Sequence, residues 1–275
     1  MNHTKSQINY VIIIYNFKQI IMAWNPDVYN KFKQERFGPF YDLIQLVKVK
    51  PALNAIDLRC GTGELTRKLA DALPRSTVIG IDSSQEMLND AIAFQNEQVS
   101  FTKKTIEAQL ASGEKYDLVF SNAAIQWLGN HETLYPKIIS AVKPGGQLVI
   151  QIPSNHNHFT HTTLIEIAST PPFNSVLKGF TRVSPVMDIQ EYAKIFFQHG
   201  GTEITVYEKI YPHVLKDADA LFDWVSGTAM IPYVEKLPED IKQSFITTYK
   251  ERLRKEFKES PVFYPFKRTI MAATF

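Results

Sequence analysis

The chain is predicted to fold as an α/β protein, with a largely parallel sheet covered by helices on both faces. Two observations predict this. Apolar runs at 55–58, 78–81, 99–102, 118–121 and 148–152 alternate with helical patterns near 64–72, 85–94 and 132–142, the order that builds parallel strands joined by crossover helices. The first two runs carry an acid at their carboxyl ends, Asp57 and Asp82, and the first leads into the small-residue turn Cys60-Gly61-Thr62-Gly63. Past that turn, Leu65, Leu69, Ala70 and Leu73 restart at helical spacing.

Composition sets the outer limits. A chain of 275 residues can bury one substantial core, or a core plus a cap. With 44% hydrophobic and 21% charged residues it is ordinary globular material. A net charge of +2 gives no grounds for expecting nucleic acid as a partner. The single cysteine, Cys60, excludes an internal disulfide framework and suits a reducing, cytoplasmic compartment. Beside the glycine turn it reads as a small apolar filler, the alternative being a nucleophile for which no activating His accompanies it. Residues 11–14 are apolar but too few to span a bilayer, so no membrane partner is expected.

Along the chain, residues 1–21 read as an upstream extension outside the fold, as from a misassigned start codon. Asn25 is placed to cap a helix, with Pro26 at its first position and Asp27 favourable to its dipole. That helix carries Tyr29, Phe32, Arg36, Phe37 and Phe40, either an aromatic staple to the core or a lid. The parallel core follows, then a helix over 189–199 and strand-like runs at 203–211 and 263–274. The stretch 218–257 is helical, capped by Asp217, and its later part is strongly charged, as a solvated helix face is.

A strand, a tight loop and a helix N-terminus form the place where an open α/β sheet receives a nucleotide-like ligand, and Asp82 at the second strand tip is placed to accept both hydroxyls of a ribose. A dinucleotide fingerprint would require glycine or alanine where Thr66 stands. Asn122-Ala123-Ala124 after the fourth strand and Lys143-Pro144-Gly145-Gly146 before the fifth favour a different cofactor. This set resembles the class I S-adenosylmethionine (SAM)-dependent methyltransferases, whose loop reads acid-x-Gly-x-Gly-x-Gly. Met22-Ala23-Trp24-Asn25-Pro26-Asp27, Ile125-Gln126-Trp127-Leu128, Pro153-x-Asn155, Asp223-Trp224-Val225 and Tyr264-Pro265-Phe266-Lys267-Arg268 narrow the resemblance to the trans-aconitate methyltransferases over nearly the whole chain.

The resemblance implies a Rossmann-like, seven-stranded, mostly parallel sheet with an antiparallel edge and a small helical substrate cap. Residues 22–275 would form one methyltransferase domain: lid helix 22–50, SAM-binding core 51–153, and cap insertions 154–187 and 212–258. It further implies that Asp57, Gly61, Gly63, Asp82, Ser83, Met87, Ile106 and Asn122 hold SAM, with Tyr29 and Arg36 near its methionine end. Gln126 and Trp127 would wall the transfer site, Trp127 having core packing as its alternative. Lys267 and Arg268 would clamp the acid, with His161, Tyr211 and Tyr233 as hydrogen-bond donors. Surface charge is the competing role for Lys267 and Arg268.

The implied chemistry needs little apparatus. A carboxylate acceptor is already ionised at neutral pH, so no general base is required, and the chain shows no Ser/His/Asp or Cys/His constellation. His156, His158 and His161 lie close in sequence, but no Cys or carboxylate completes a ligand set, so they read as a polar loop and no metal is expected. Three departures bear on the expectation. Arg59 occupies the first glycine position of the loop, Thr105 stands where the family often has an acid toward the adenine, and Ile231 stands where trans-aconitate enzymes tend to place an arginine. Beside methyl-ester formation on a trans-aconitate-like acid stand two alternatives: methylation of another small metabolite at N, O or C, and a degenerate, non-catalytic relative with weakened SAM binding. The oligomeric state is not legible.

Overall fold

The computed structural model describes residues 33–275, with side chains from Phe37 onward. The extension at 1–21, the Asn25 cap and Tyr29 therefore lie outside the described residues, as does the side chain of Arg36. The described residues fall into two compact units, 34–158 with 183–214 and 263–275 in one, and 159–182 with 215–262 in the other.

The first unit is built on a seven-stranded sheet, β1 (Asn54–Leu58), β2 (Thr77–Asp82), β3 (Val99–Lys103), β4 (Tyr116–Asn122), β5 (Val142–Pro153), β6 (Thr202–Leu215) and β7 (Val262–Thr274), in the order β3-β2-β1-β4-β5-β7-β6. Strands β1 to β5 pair in parallel and β7 runs antiparallel to β5. The chain moves outward from β1 through β2 and β3, then returns to place β4 on the other side of β1. That reversal opens a crevice at the carboxyl ends of β1 and β4, where open α/β sheets take up ligands.

Neighbouring residues on the strands serve opposite faces, as the two-residue period demands. Ile56, Val119 and Ile150 join one apolar cluster with Leu134, Tyr135 and Ile138 of α5 (His131–Ser140) and Tyr192 and Phe196 of α8 (Ile189–Gln198). Ala55, Leu118, Phe120 and Val149 join the other, with Leu69 and Ala70 of α2 (Glu64–Asp71) and Phe40 and Leu43 of α1 (Lys33–Ile44). Phe40 is fully buried with its ring edge-on to Phe120 at 6.0 Å, worth roughly 1.5–3 kcal/mol in transfer terms. Phe40 and Leu43 thus tie α1 to the apolar core.

Two local readings are refined. The predicted helix at 85–94 is α3 (Gln85–Ala91) followed by a 3-10 turn, Ile92–Phe94. The turn expected at 143–146 lies within β5, because pairing jumps from Tyr116↔Val142 to Leu118↔Gln147 and the intervening residues bulge out.

The second unit comprises α6 (Phe159–Ala168), α7 (Phe173–Val176), α9 (Ala218–Ser226), α10 (Ile231–Val234) and α11 (Glu239–Glu256). Asp217 caps α9 through the amide of Ala220 at 2.9 Å, as its sequence position predicts. Helix α11 buries Phe245, Tyr249 and Leu253 at i, i+4, i+8 and keeps Glu239 and Asp240 in its first turn and Arg254 and Lys255 in its last, in agreement with its dipole. Its charged side is occupied locally, with Arg254 on Asp219 and Lys250 over the Phe222 ring. Among the described residues no helix is long and apolar enough to cross a membrane.

Candidate functional site

The loop between β1 and α2 is shaped by three left-handed residues: Arg59 at φ 69°, Gly61 at 57° and Gly63 at 79°. The two glycines are needed for different reasons. A Cβ at Gly61 would meet nothing within 4 Å, so the backbone there faces open space. A Cβ at Gly63 would lie 2.7 Å from Phe101 and 2.8 Å from the Cβ of Ala91. Gly63 thus serves helix packing as the cap residue of α2, and its expected approach to a ligand is not what requires glycine there.

Asp57 is buried and accepts a 2.6 Å hydrogen bond from the Thr66 hydroxyl. Burial pushes its carboxyl up to about 7, Thr66 works against this, and the charge of Asp82 adds to it. Thr66 therefore replaces the packing glycine of a dinucleotide loop with a donor that orients Asp57. Cys60 is buried against Leu88 and Ala91, and burial, with Asp57 and Asp82, pushes its thiol well above the ordinary range.

Asp82 is also buried, and each of its oxygens holds one backbone amide: Gly61 at 3.0 Å and Ser84 at 2.9 Å. A carboxylate has about four lone-pair sites, so each oxygen retains room for a further donor. Ser84 caps α3 by accepting from the Met87 amide at 3.2 Å. Ser83 is exposed and Met87 half-buried beside that tip. Thr105 caps α4 (Ile106–Ala111) through the Ala108 amide, which explains a threonine there. Ile106 is spent on the apolar core and offers only 5% of its surface to anything else.

Across the crevice, Ser121 at the end of β4 donates to the Leu58 carbonyl at 3.1 Å and ties the tips of β1 and β4. The chain then turns sharply through Ala123 at φ 56° into a 3-10 turn, Ile125–Trp127. The Asn122 side-chain oxygen is buried with no hydrogen-bond partner among the described residues, a cost that a ligand donor would remove. Gln126 donates to the Ala123 carbonyl at 2.8 Å. Trp127 is 37% exposed, so it is not core. The Arg59 guanidinium carbon lies 5.6 Å from the centre of its ring. Arginine at the first glycine position is thus accommodated by a left-handed backbone and a side chain laid on Trp127.

The expected substrate clamp is corrected in part. Lys267 and Arg268 are adjacent on β7, so they face opposite sides of it, and they cannot both reach one ligand from the same face. Lys267 lies 3.1 Å from Glu208 and is partly exposed. Arg268 is 6% exposed, donates to Gln151 at 3.2 Å and covers the Phe266 ring at 4.8 Å, so it is no surface charge. The Tyr211 hydroxyl proton is committed to Asp42 at 2.5 Å, where Lys209 also binds at 2.7 Å. Burial and that carboxylate push its pKa up strongly. In the helical unit, Tyr233 is buried, stacked on Phe245 at 5.7 Å, and accepts the Arg182 amide at 3.1 Å. It is core there. His161 lies on α6, 3.1 Å from the Thr160 hydroxyl. Among the described residues no three His, Cys, Asp or Glu side chains converge as a metal set.

Two features of the site escape sequence reasoning: the Thr66–Asp57 bond and the Arg59–Trp127 stack. A β-strand acid followed by a hydroxyl in the next helix's first turn is a usable signal for the first; nothing local announces the second. Asn155 links two stretches that carried the resemblance, donating to the Tyr264 hydroxyl at 3.0 Å and accepting the Lys267 amide at 3.2 Å.

Comparison with known proteins agrees with this geometry. A methyltransferase domain family matches residues 49–200. The trans-aconitate 2-methyltransferase of Deinococcus radiodurans is 39% identical over 259 residues, 92% of this chain and 98% of that protein. The enzyme of the same name from Delftia acidovorans is 36% identical, over 85% of this chain and 90% of that protein. Among solved structures, a methyltransferase from Bacillus halodurans superposes with a TM-score of 0.56 at 16% identity, over 86% of this chain and 98% of that one. A mycolic acid cyclopropane synthase solved with SAH does so with 0.52 at 13%, over 87% and 84%; at these identities both speak for the fold. The chain belongs to the methyltransferases, in the trans-aconitate 2-methyltransferase family.

Proposed function

We propose that this chain transfers the methyl group of SAM to a carboxylate oxygen of a small carboxylic acid, with trans-aconitate as the leading substrate. Similarity over most of the chain to two enzymes of that name supports the acid. The observation that carries the cofactor is the strand-tip pair: a buried Asp82 with a lone pair left on each oxygen, facing a Gly61 backbone that opens on free space. The Asn122 oxygen adds an acceptor that awaits a donor. These residues fit a ribose and an amino-acid moiety.

Asp82 would hold the ribose, Gly61 would admit the ligand against the backbone, and Asn122 would take a polar hydrogen of the methionine part. When bound, SAM supplies a methyl group on a positive sulfur, open to in-line displacement. Because the acceptor is already ionised, the protein's part is to align that oxygen and exclude water. Gln126 and Trp127 supply the wall at the transfer side. Arg268, buried beside Gln151, is the cation we retain as a clamp. A reducing, cytoplasmic location fits the lone buried thiol of Cys60.

The test is titration of SAH into the native protein and Asp82→Ala, followed by mass-spectrometric detection of methyl esters on a panel of mono-, di- and tricarboxylic acids. Loss of two charge-assisted hydrogen bonds should weaken SAH by roughly tenfold or more. Unchanged affinity in a folded variant would refute the ribose assignment. Tight SAH binding with no ester on any acid would refute the acceptor class.

A further inference from the structure

Resting on that acid-methylating reading, we propose that Arg59 is a specificity-determining residue of this chain, whose guanidinium, laid on Trp127, receives a non-reacting carboxylate of the acid substrate. The backbone at Arg59 is left-handed, φ 69°, a conformation glycine adopts freely and another L-residue only at a cost. Strain of this kind held at a site points to a use for the side chain.

The side chain has the form a carboxylate needs. Its carbon sits 5.6 Å from the Trp127 ring centre, within cation–π range, and its N–H donors lie in the guanidinium plane. Those donors form the fork that binds a carboxylate through two parallel hydrogen bonds. Among the described residues no carboxylate pairs with Arg59 and no hydrogen bond takes up its guanidinium. Nor does it neutralise the buried acid of its own loop, since Asp57 responds to burial, Thr66 and Asp82 and not to this arginine.

Position agrees. Arg59 leaves the tip of β1, Trp127 follows β4, and these strands are neighbours at the crevice. Trp127 is 37% exposed, so the stack stands at the mouth and not inside the core. A polycarboxylate needs a cation there besides Arg268, since Lys267 is matched by Glu208. The group held by Arg59 is a non-reacting carboxylate, because a cation hydrogen-bonded to the acceptor oxygens would draw charge from them and weaken the nucleophile.

The cofactor also carries a carboxylate, and the experiment separates the two sources. Native protein, Arg59→Gly and Arg59→Lys are titrated with SAH, then assayed on mono-, di- and tricarboxylic acids. Glycine relieves the left-handed backbone, so Arg59→Gly should fold with an unchanged or raised Tm. We expect its SAH Kd to stay within about twofold and its KM for di- and tricarboxylic acids to rise roughly 10- to 100-fold, as loss of charge-assisted hydrogen bonds implies. Its kcat and its handling of monocarboxylic acids should change little, and Arg59→Lys should recover part of the affinity. A KM within twofold of native for every acid overturns the proposal. So does an SAH Kd weakened more than tenfold with KM unmoved, which would assign Arg59 to the cofactor's own carboxylate. A tightened SAH Kd with unmoved KM overturns it too, and marks Arg59 as an obstruction. A native protein that binds SAH but esterifies no acid overturns the reading beneath it, before any variant is made.

Discussion

The two glycines of the β1–α2 loop should fail in opposite ways when each is replaced by alanine. At Gly63 the added methyl would sit 2.7 Å from the Phe101 ring, 2.8 Å from the Ala91 Cβ and 3.0 Å from its Cα. The ring can give a little; the Cα of Ala91 sits in α3 and cannot. Overpacking of this kind costs about 1–3 kcal/mol, and a non-glycine residue at φ 79° adds roughly 1–2 kcal/mol. Reduced freedom of the unfolded chain returns about 0.4–1 kcal/mol, leaving a loss of about 1–5 kcal/mol. At Gly61 there is nothing to strike, and the left-handed cost is largely offset by the same unfolded-chain term, leaving about 1 kcal/mol or less. Its methyl would instead project where the cofactor is proposed to lie. Urea denaturation followed by circular dichroism, with calorimetric titration of SAH, separates the two effects. Gly63→Ala should lose stability first, and Gly61→Ala should keep most of its stability and lose SAH affinity by tenfold or more. A Gly63→Ala loss below about 1 kcal/mol, or equal destabilisation by both, would refute the division of labour.

Two further outcomes follow from the site. Asp57 has its pKa raised from 3.8 to about 7, so the folded state holds a proton that the unfolded state releases. That contribution to stability is complete below pH 3.8 and is lost as pH rises toward 7, with a ceiling on the order of 4 kcal/mol at about 1.4 per unit. Asp57→Asn should therefore gain stability relative to native as pH climbs from 4 to 8 in thermal melts, and parallel melting curves across that range would remove the assignment. Arg268→Ala should destabilise by about 1–3 kcal/mol by leaving the Gln151 oxygen without its donor. Lys267→Ala, which breaks only a partly exposed pair with Glu208, should cost under about 1 kcal/mol; urea midpoints that rank the two the other way would reverse the placement of these side chains.

The parallel core was legible because its signals are local. A strand buried on both faces reads as a continuous apolar run, and Val78, Ile79 and Ile81, or Leu118 to Phe120, announce themselves without reference to anything distant. The crevice was legible for the same reason, since Asp57, the glycine turn and Asp82 are spaced by the strand–loop–helix geometry itself. The 143–146 bulge was not. Lys143-Pro144-Gly145-Gly146 has turn composition, and only pairing with β4 reveals that the strand resumes its ladder on both sides of it.

Side-chain direction is where local reading stops. Thr66 counts as a mismatch when the motif is read along the chain, yet across the loop it is the donor that Asp57 needs inside a buried site. Arg59 reads as an intrusion for the same reason: its direction is decided by Trp127, on another strand's exit loop, and by a left-handed backbone that an arginine in sequence does not announce. Lys267 and Arg268 look like a matched pair because they are adjacent, although adjacency on a strand sends them to opposite faces. The two-residue period was present in Tyr264, Phe266 and Arg268, all buried, against Phe263 and Lys267, which reach solvent. Applied to that last strand, it predicts from sequence alone that one cation of the pair is buried. The resemblance grouped both as ligands; the pleat divides them.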